Sequence, residues 1–169
     1  QDPRTSFPLQ AALGWTMAQN LFISERNLIV EGSSDLLYLQ AMSTALEAAG
    51  RTALRDDITI VPVGGLDKVA TFVALLGAHK LKLGVFHDYR GGPEQKLVDL
   101  EREKLLTPKS IMHAAQFRDV GGPGAAKQTD IEDLLPIDEY VAAFNASFAK
   151  KLGHEAKVAD LPPGDRIID

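Results

Sequence analysis

The segment 27–35 (NLIVEGSSD) is the part of this sequence that most constrains the fold. Its apolar run predicts a buried strand that ends at Glu31, and Gly32 with two serines predicts a tight turn. Asp35 then begins an amphipathic helical pattern. Open α/β sheets bind ligands beyond the carboxyl ends of such strands. Two carboxylates near that edge suit a hard divalent cation, which prefers oxygen ligands.

The rest of the sequence alternates between apolar runs that predict strands and amphipathic stretches that predict helices. The order β-α-β-α-β-α-β implies an α/β fold, with a parallel four-stranded sheet and helices on both faces. Helical patterns at 9–22 and 137–152 predict added helices before and after this sheet. The predicted strands are 27–31, 58–63, 81–87 and 110–114, and the predicted connecting helices are 34–49, 66–76 and 94–106.

Composition narrows the class of protein. The chain of 169 residues has no cysteine, which excludes a disulfide framework and a thiolate metal site. No apolar run approaches a membrane span and no signal peptide is evident, so we expect a cytoplasmic protein that contacts no membrane. The net charge of −5 argues against a broad basic surface. A negative net charge does not exclude nucleic acid as a substrate, since divalent cations bound by the protein can contact the phosphates.

Further acidic residues follow later strands. Asp88 lies just after the third predicted strand, where it either pairs with Arg90 in an ordinary loop or supplies a metal oxygen beside Glu31. The neighbouring His87 is either a ligand or general base, or, as is more common for a lone histidine, structural. The acids at the first strand have a plain alternative too, in which Glu31 is a solvated strand end and Ser33 or Ser34 caps the helix.

The segment 130–133 (DIED) adds a third acidic group. Asp130 and Glu132 point the same way if the backbone is extended, whereas Asp133 shares a face with Asp130 if it is helical. The segment is either the acidic first turn of the following helix or a second metal position.

Two glycine-rich stretches are candidate phosphate-binding sites. The segment 121–128 lacks the spacing of a phosphate loop, and 120–129 as a whole is typical of a mobile loop. Gly64 and Gly65, before a predicted helix, either bind a phosphate through backbone N–H groups or form a tight turn.

In combination these motifs resemble the Toprim domain of topoisomerases, primases and several nucleases. They are most similar to the C-terminal nuclease region of the overcoming lysogenization defect (OLD) family. The likeness covers residues from about 10 to about 150, and its motifs are specific as an ordered set. The matching stretches are 28–39 (LIVEGSSDLLYL), 61–69 (VPVGGLDKV), 87–92 (HDYRGG) and 130–134 (DIEDL).

The resemblance assigns roles to five acids. It implies that Glu31 and Asp88 are catalytic and that all five acids hold divalent metal: Glu31, Asp35, Asp88, Asp130 and Glu132. It implies Mg²⁺ or Mn²⁺ and cleavage of DNA phosphodiester bonds. We expect two ions, since two metals can activate the water and stabilise the leaving oxygen, and little sequence preference, since nothing resembles a base-reading helix. The resemblance also implies an ATPase domain in the full-length chain, with a homo-oligomer left open.

The sequence departs from the family pattern at Arg90, which stands where Toprim domains have the second aspartate of Asp-x-Asp. A cation cannot ligate a metal, so either Asp130 and Glu132 supply the second ion's site or Arg90 contacts a DNA phosphate. Lys127 is a candidate for the assisting lysine expected of the family, or for a DNA contact.

We therefore predict a Toprim catalytic core over 24–135, with helical flanking segments at 1–23 and 136–169, acting as a metal-dependent DNA endonuclease. One alternative is a topoisomerase- or primase-like Toprim domain, for which Tyr38, Tyr89 and Tyr140 are the available nucleophiles. Another is a non-catalytic module that binds metal or phosphate and regulates a partner. A receiver-like version should have a lysine after a late strand, and 110–115 lacks one.

Overall fold

The computed structural model describes residues 25–77, 81–118, 128–161, 163–164 and 166–167. The chain divides into two compact units, and each is described by itself. Unit 1 comprises Gln1–Phe86 with Glu94–Ile111, and unit 2 comprises His87–Pro93 with Met112–Asp169. The predicted helix at 9–22 and most of the predicted loop at 120–129, including Lys127, lie outside the described residues.

Within the described residues, four strands form one parallel sheet in the order β2-β1-β3-β4. Strand β1 pairs in parallel with β2 and with β3, so that Val30 lies beside Pro62 on one side and Phe86 on the other. The α/β fold class predicted from the alternating pattern is therefore confirmed. The strands are β1 (Arg26–Val30), β2 (Ile58–Pro62), β3 (Lys82–His87) and β4 (Ile111–His113).

The helices of the described chain are α1 (Ser33–Ala48), α2 (Leu66–Gly77), α3 (Gln95–Arg102) and α4 (Ile137–Leu152). Helix α3 is shorter than predicted, because Lys104 adopts a left-handed φ of 59° and turns the chain. The amides of Leu105 and Leu106 then return to the carbonyl of Leu100. No helix in the described ranges is long and apolar enough to cross a membrane.

The core of unit 1 lies around β1. Ile29 and Val30 have no exposed surface, which explains why the strand is a continuous apolar run. Helix α2 buries Val69, Phe72, Val73 and Leu76, whereas Leu37 on α1 is 65% exposed. The buried cluster is Ile29, Val61, Val63, Val69, Phe72, Val73, Leu76, Val85, Leu97, Leu100 and Leu106.

Unit 2 is tied together by polar contacts as well as by apolar ones. The side chain of Asn145 on α4 both donates to and accepts from the backbone of Ala156, at 2.8 Å each. Gly153 ends α4 in a left-handed conformation with φ 75°, which lets the chain turn back toward that asparagine. The segment after α4 is thus held against the helix.

Candidate metal site

Glu31 directly follows β1 in unit 1, and its backbone is fixed by the turn after β2. The carbonyl oxygen of Glu31 accepts hydrogen bonds from Gly64 and Gly65, at 2.7 and 2.8 Å. Both glycines have positive φ, 79° and 122°, which lets two successive N–H groups point at one oxygen. The glycine pair is therefore a turn that holds Glu31, and its amides are already used, which disfavours the phosphate interpretation.

Asp35 in the same unit orients the start of α1. Its Oδ2 atom accepts the backbone N–H of Gly32 at 2.7 Å, and the residue is only 4% exposed. Gly32 is the N-cap, with extended φ and ψ, so the expectation that Ser33 or Ser34 caps the helix is wrong. A carboxylate in the first turn is favoured by the positive end of the helix dipole. We call Glu31, Gly32, Asp35, Gly64 and Gly65 the β1 turn.

In unit 2 a backbone bridge brings two distant acidic segments together. Tyr89 and Thr129 exchange both of their N–H···O hydrogen bonds, at 2.8 and 2.9 Å, as an isolated antiparallel bridge. The residues on either side of Tyr89 are Asp88 and Arg90, and the residue after Thr129 is Asp130. The bridge therefore places Asp88, Arg90 and Asp130 side by side.

Arg90 links the two aspartates. Its Nη2 atom lies 3.1 Å from Oδ2 of Asp88, and its Nη1 atom lies 3.0 Å from Oδ1 of Asp130. Arg166 approaches Asp130 from the other oxygen, with Nη1 3.2 Å from Oδ2. The plain interpretation of Asp88, an ion pair with Arg90, is what this structure shows. We call Asp88, Arg90, Asp130 and Arg166 the arginine network.

The segment after Thr129 takes the helical alternative. Ile131–Leu134 is a 3₁₀ helix with Asp130 at its N-cap, so Asp133 and not Glu132 lies over Asp130. The Asp133 side chain has no exposed surface. It accepts the N–H groups of Asp130 at 2.8 Å and Ile167 at 2.6 Å. Asp133 was not among the predicted site residues, although an aspartate three positions after a helix start is a known capping signal.

Glu132 is half-buried, and its negative charge interacts with the phenol of Tyr140. Burial, and then the negative charge of Glu132, raise the pKa of the Tyr140 phenol. A raised pKa leaves less phenolate for attack on a phosphate, and Tyr89 stacks on His113 with ring centroids 4.6 Å apart. These environments do not favour either tyrosine as a topoisomerase nucleophile.

His87 lies in a group of aromatic rings at the end of β3. It is 4% exposed, and its Nδ1 atom donates to the backbone oxygen of Asp88 at 2.5 Å. Its ring centroid is 5.8 Å from that of His113, whose pKa is lowered by burial. His87 thus orients the backbone of Asp88, which agrees with a structural histidine.

The donor chemistry of these residues fits a hard divalent ion, since carboxylate oxygens are its preferred ligands. The Oδ1 atom of Asp130 is buried and accepts no hydrogen bond among the described residues, although Arg90 lies 3.0 Å away as an ion-pair partner. The same residues do not gather three or more acidic, histidine or cysteine side chains around one point. The oxygens suited to a cation in unit 2 are contacted by guanidinium groups.

Comparison with known proteins agrees with this fold. Residues 22–89 match the family described as overcoming lysogenization defect protein-like, TOPRIM domain. This segment is therefore similar to an OLD-like Toprim domain. The match confirms the predicted resemblance and indicates a nuclease or Toprim-type metal-binding function. No curated protein and no solved structure matches the chain.

The Toprim match begins before β1 and ends just after β3. It includes Glu31, Asp35 and Asp88, whereas Asp130 and Glu132 lie beyond it. Toprim domains in general bind divalent metals, and the assignment of particular acids to a metal stays a prediction. The later two rest on the sequence pattern and on their own surroundings in unit 2.

Proposed function

We propose that this chain is the catalytic part of a divalent-metal-dependent DNA endonuclease. The observation that carries the proposal is the OLD-like Toprim match, on a parallel sheet whose first strand ends directly before Glu31. The proposed substrate is DNA with little sequence preference, because no described element resembles a base-reading helix. We further propose a cytoplasmic protein with an ATPase domain elsewhere in the full-length chain.

Phosphodiester hydrolysis requires an activated water, an in-line geometry and stabilisation of charge on the leaving oxygen, and bound divalent ions supply these when present. In unit 1, Glu31 and Asp35 hold one Mg²⁺ or Mn²⁺ ion. Asp88 and Asp130 are the candidates for a second ion, since the 3₁₀ helix does not place Glu132 over Asp130. The β1 turn fixes the backbone that carries Glu31, so its carboxylate is presented without a large loss of conformational entropy.

Plasmid nicking tests this function. The wild-type protein should convert supercoiled plasmid to the open circular form with Mg²⁺ or Mn²⁺, and a chelator should stop the reaction. The Glu31→Ala variant should lose about 10³-fold in rate, since loss of a metal ligand removes several kcal/mol of transition-state stabilisation.

Glu47→Ala is the matched control, because Glu47 is an exposed glutamate on α1. It should cleave like the wild type. Undiminished cleavage by Glu31→Ala, or equal losses in both variants, would remove Glu31 from the catalytic centre. Cleavage that continues in the chelator would contradict the metal-dependent mechanism.

A non-catalytic metal- or phosphate-binding module is the second candidate. The arginine network favours it, because Arg90 and Arg166 offset the charges of two of the five predicted metal acids. Calorimetry distinguishes the two candidates. Binding of Mg²⁺ without cleavage of supercoiled, linear or single-stranded DNA would support the regulatory module, and cleavage would exclude it.

A further inference from the structure

The arginine network contains as many positive as negative groups, because Asp88 and Asp130 are matched by Arg90 and Arg166. The two terminal nitrogens of Arg90 contact different aspartates. One lies 3.1 Å from Asp88 and the other lies 3.0 Å from Asp130. A guanidinium carries a positive charge in proteins. Arg90 therefore places a positive charge between two carboxylates.

A divalent ion at this place would need the same oxygen atoms. Mg²⁺ and Ca²⁺ sit about 2.0–2.6 Å from carboxylate oxygens, closer than a guanidinium nitrogen. Two cations on one pair of carboxylates also repel each other. The side chains of Asp88 and Asp130 are only 18% and 12% exposed, so solvent screens that repulsion weakly.

Arg90 is the most exposed member of the arginine network. Its side chain is 43% exposed, whereas those of Asp88, Asp130 and Arg166 are 18%, 12% and 21% exposed. The Tyr89–Thr129 bridge holds the backbone on both sides by main-chain hydrogen bonds that do not involve the arginine. Removal of the guanidinium should therefore leave the two aspartates near their present positions.

We propose that Arg90 is an intrinsic competitor of the divalent ion at Asp88 and Asp130, so that an ion binds there only in exchange for the guanidinium. This inference rests on the proposed function in taking a divalent metal as the cofactor. Arg166 lies 3.2 Å from Oδ2 of Asp130 and is less exposed than Arg90, so we expect it to be displaced less readily.

Calorimetric titration with Mn²⁺ alone, without DNA, tests the competition. Arg90→Gln should gain a binding event, or tighten the weaker wild-type event at least tenfold, because it exposes two carboxylates with one remaining guanidinium. Arg166→Gln should tighten Mn²⁺ binding by a smaller factor. The control is Arg102→Gln, which removes an exposed arginine paired with Asp99 on α3 and should bind Mn²⁺ like the wild type.

Unchanged stoichiometry and affinity in Arg90→Gln would overturn the proposal, and so would weaker binding, which would make Arg90 a support for the site. Thermal melting checks that the variant folds. If it does not, Arg90→Lys takes its place, because the compact ammonium lacks the planar fork with which the guanidinium contacts both carboxylates. Arg90→Lys should then bind Mn²⁺ at least threefold more tightly than wild type, and equal affinity would count against the competition.

The titration separates this proposal from the endonuclease. Tighter Mn²⁺ binding by Arg90→Gln in a chain that cleaves no DNA would support the competition and refute the nuclease. Metal-dependent cleavage by the wild type, together with unchanged Mn²⁺ affinity in Arg90→Gln, would support the nuclease and refute the competition.

Discussion

The β1 turn and the arginine network hold their acids in different ways. In the β1 turn, backbone N–H groups fix Asp35 and the carbonyl of Glu31. In the arginine network, guanidinium groups contact Asp88 and Asp130. A backbone N–H orients a carboxylate without neutralising it, whereas a guanidinium also offsets its charge. The Asp35 carboxylate thus accepts a backbone donor, whereas Asp88 and Asp130 are contacted by guanidinium donors.

Asp133 in unit 2 combines both kinds of contact, because two backbone amides donate to it and the Arg118 guanidinium lies 3.8 Å from its Oδ2 atom. We expect Asp133→Ala to destabilise the protein by about 3 kcal/mol, since it leaves the buried N–H groups of Asp130 and Ile167 without acceptors. Urea denaturation measures the change. The exposed Asp138→Ala on α4 is the control and should shift the midpoint little. A neutral Asp133→Ala would mean that these hydrogen bonds do not hold the segment.

The glycine pair tests whether backbone geometry holds the β1 turn. Gly65 has φ 122°, a conformation that alanine adopts with strain, so Gly65→Ala should cost about 2 kcal/mol. Gly92 is the control, because nothing lies within 4 Å of an added Cβ there and its φ is not in the strained range. Thermal melting should give a lower melting temperature for Gly65→Ala than for Gly92→Ala. Equal melting temperatures would show that the turn tolerates another backbone geometry.

The rings near Asp88 should produce the smallest effect, a pH dependence of stability. Burial lowers the pKa of His113, so the folded state favours the neutral ring. The stability is therefore present above the ordinary histidine pKa of about 6.5 and is lost as the pH falls below it. His113→Gln should lose less stability than the wild type between pH 7.5 and 5.5. His154→Gln, at an exposed histidine, should follow the wild type; parallel curves for all three proteins would contradict the assignment.

The sequence was sufficient to predict the sheet, since each strand is an apolar run with a helical stretch after it. Strand β1 ends one residue before the prediction, at Val30. The cap of α1 was not predictable in the same way, because Gly32 caps it through backbone conformation and two serines beside it have the preferred side chains.

The sequence predicted the Asp88–Arg90 pair of the arginine network as one alternative, but not the contacts of Arg90 and Arg166 with Asp130. Arg90 and Asp130 lie far apart in the chain, and they meet through the Tyr89–Thr129 bridge, which no hydrophobic pattern marks. The roles of the metal acids and the boundaries of the Toprim core stay predictions. So does the role of Lys127, which lies outside the described residues.

Anomalous diffraction from Mn²⁺-soaked crystals tests the central claim most directly. A metal centre at the end of β1 predicts an anomalous peak within about 2.5 Å of a carboxylate oxygen of Glu31 or Asp35. The absence of a peak at both residues in a Mn²⁺-saturated crystal would contradict it.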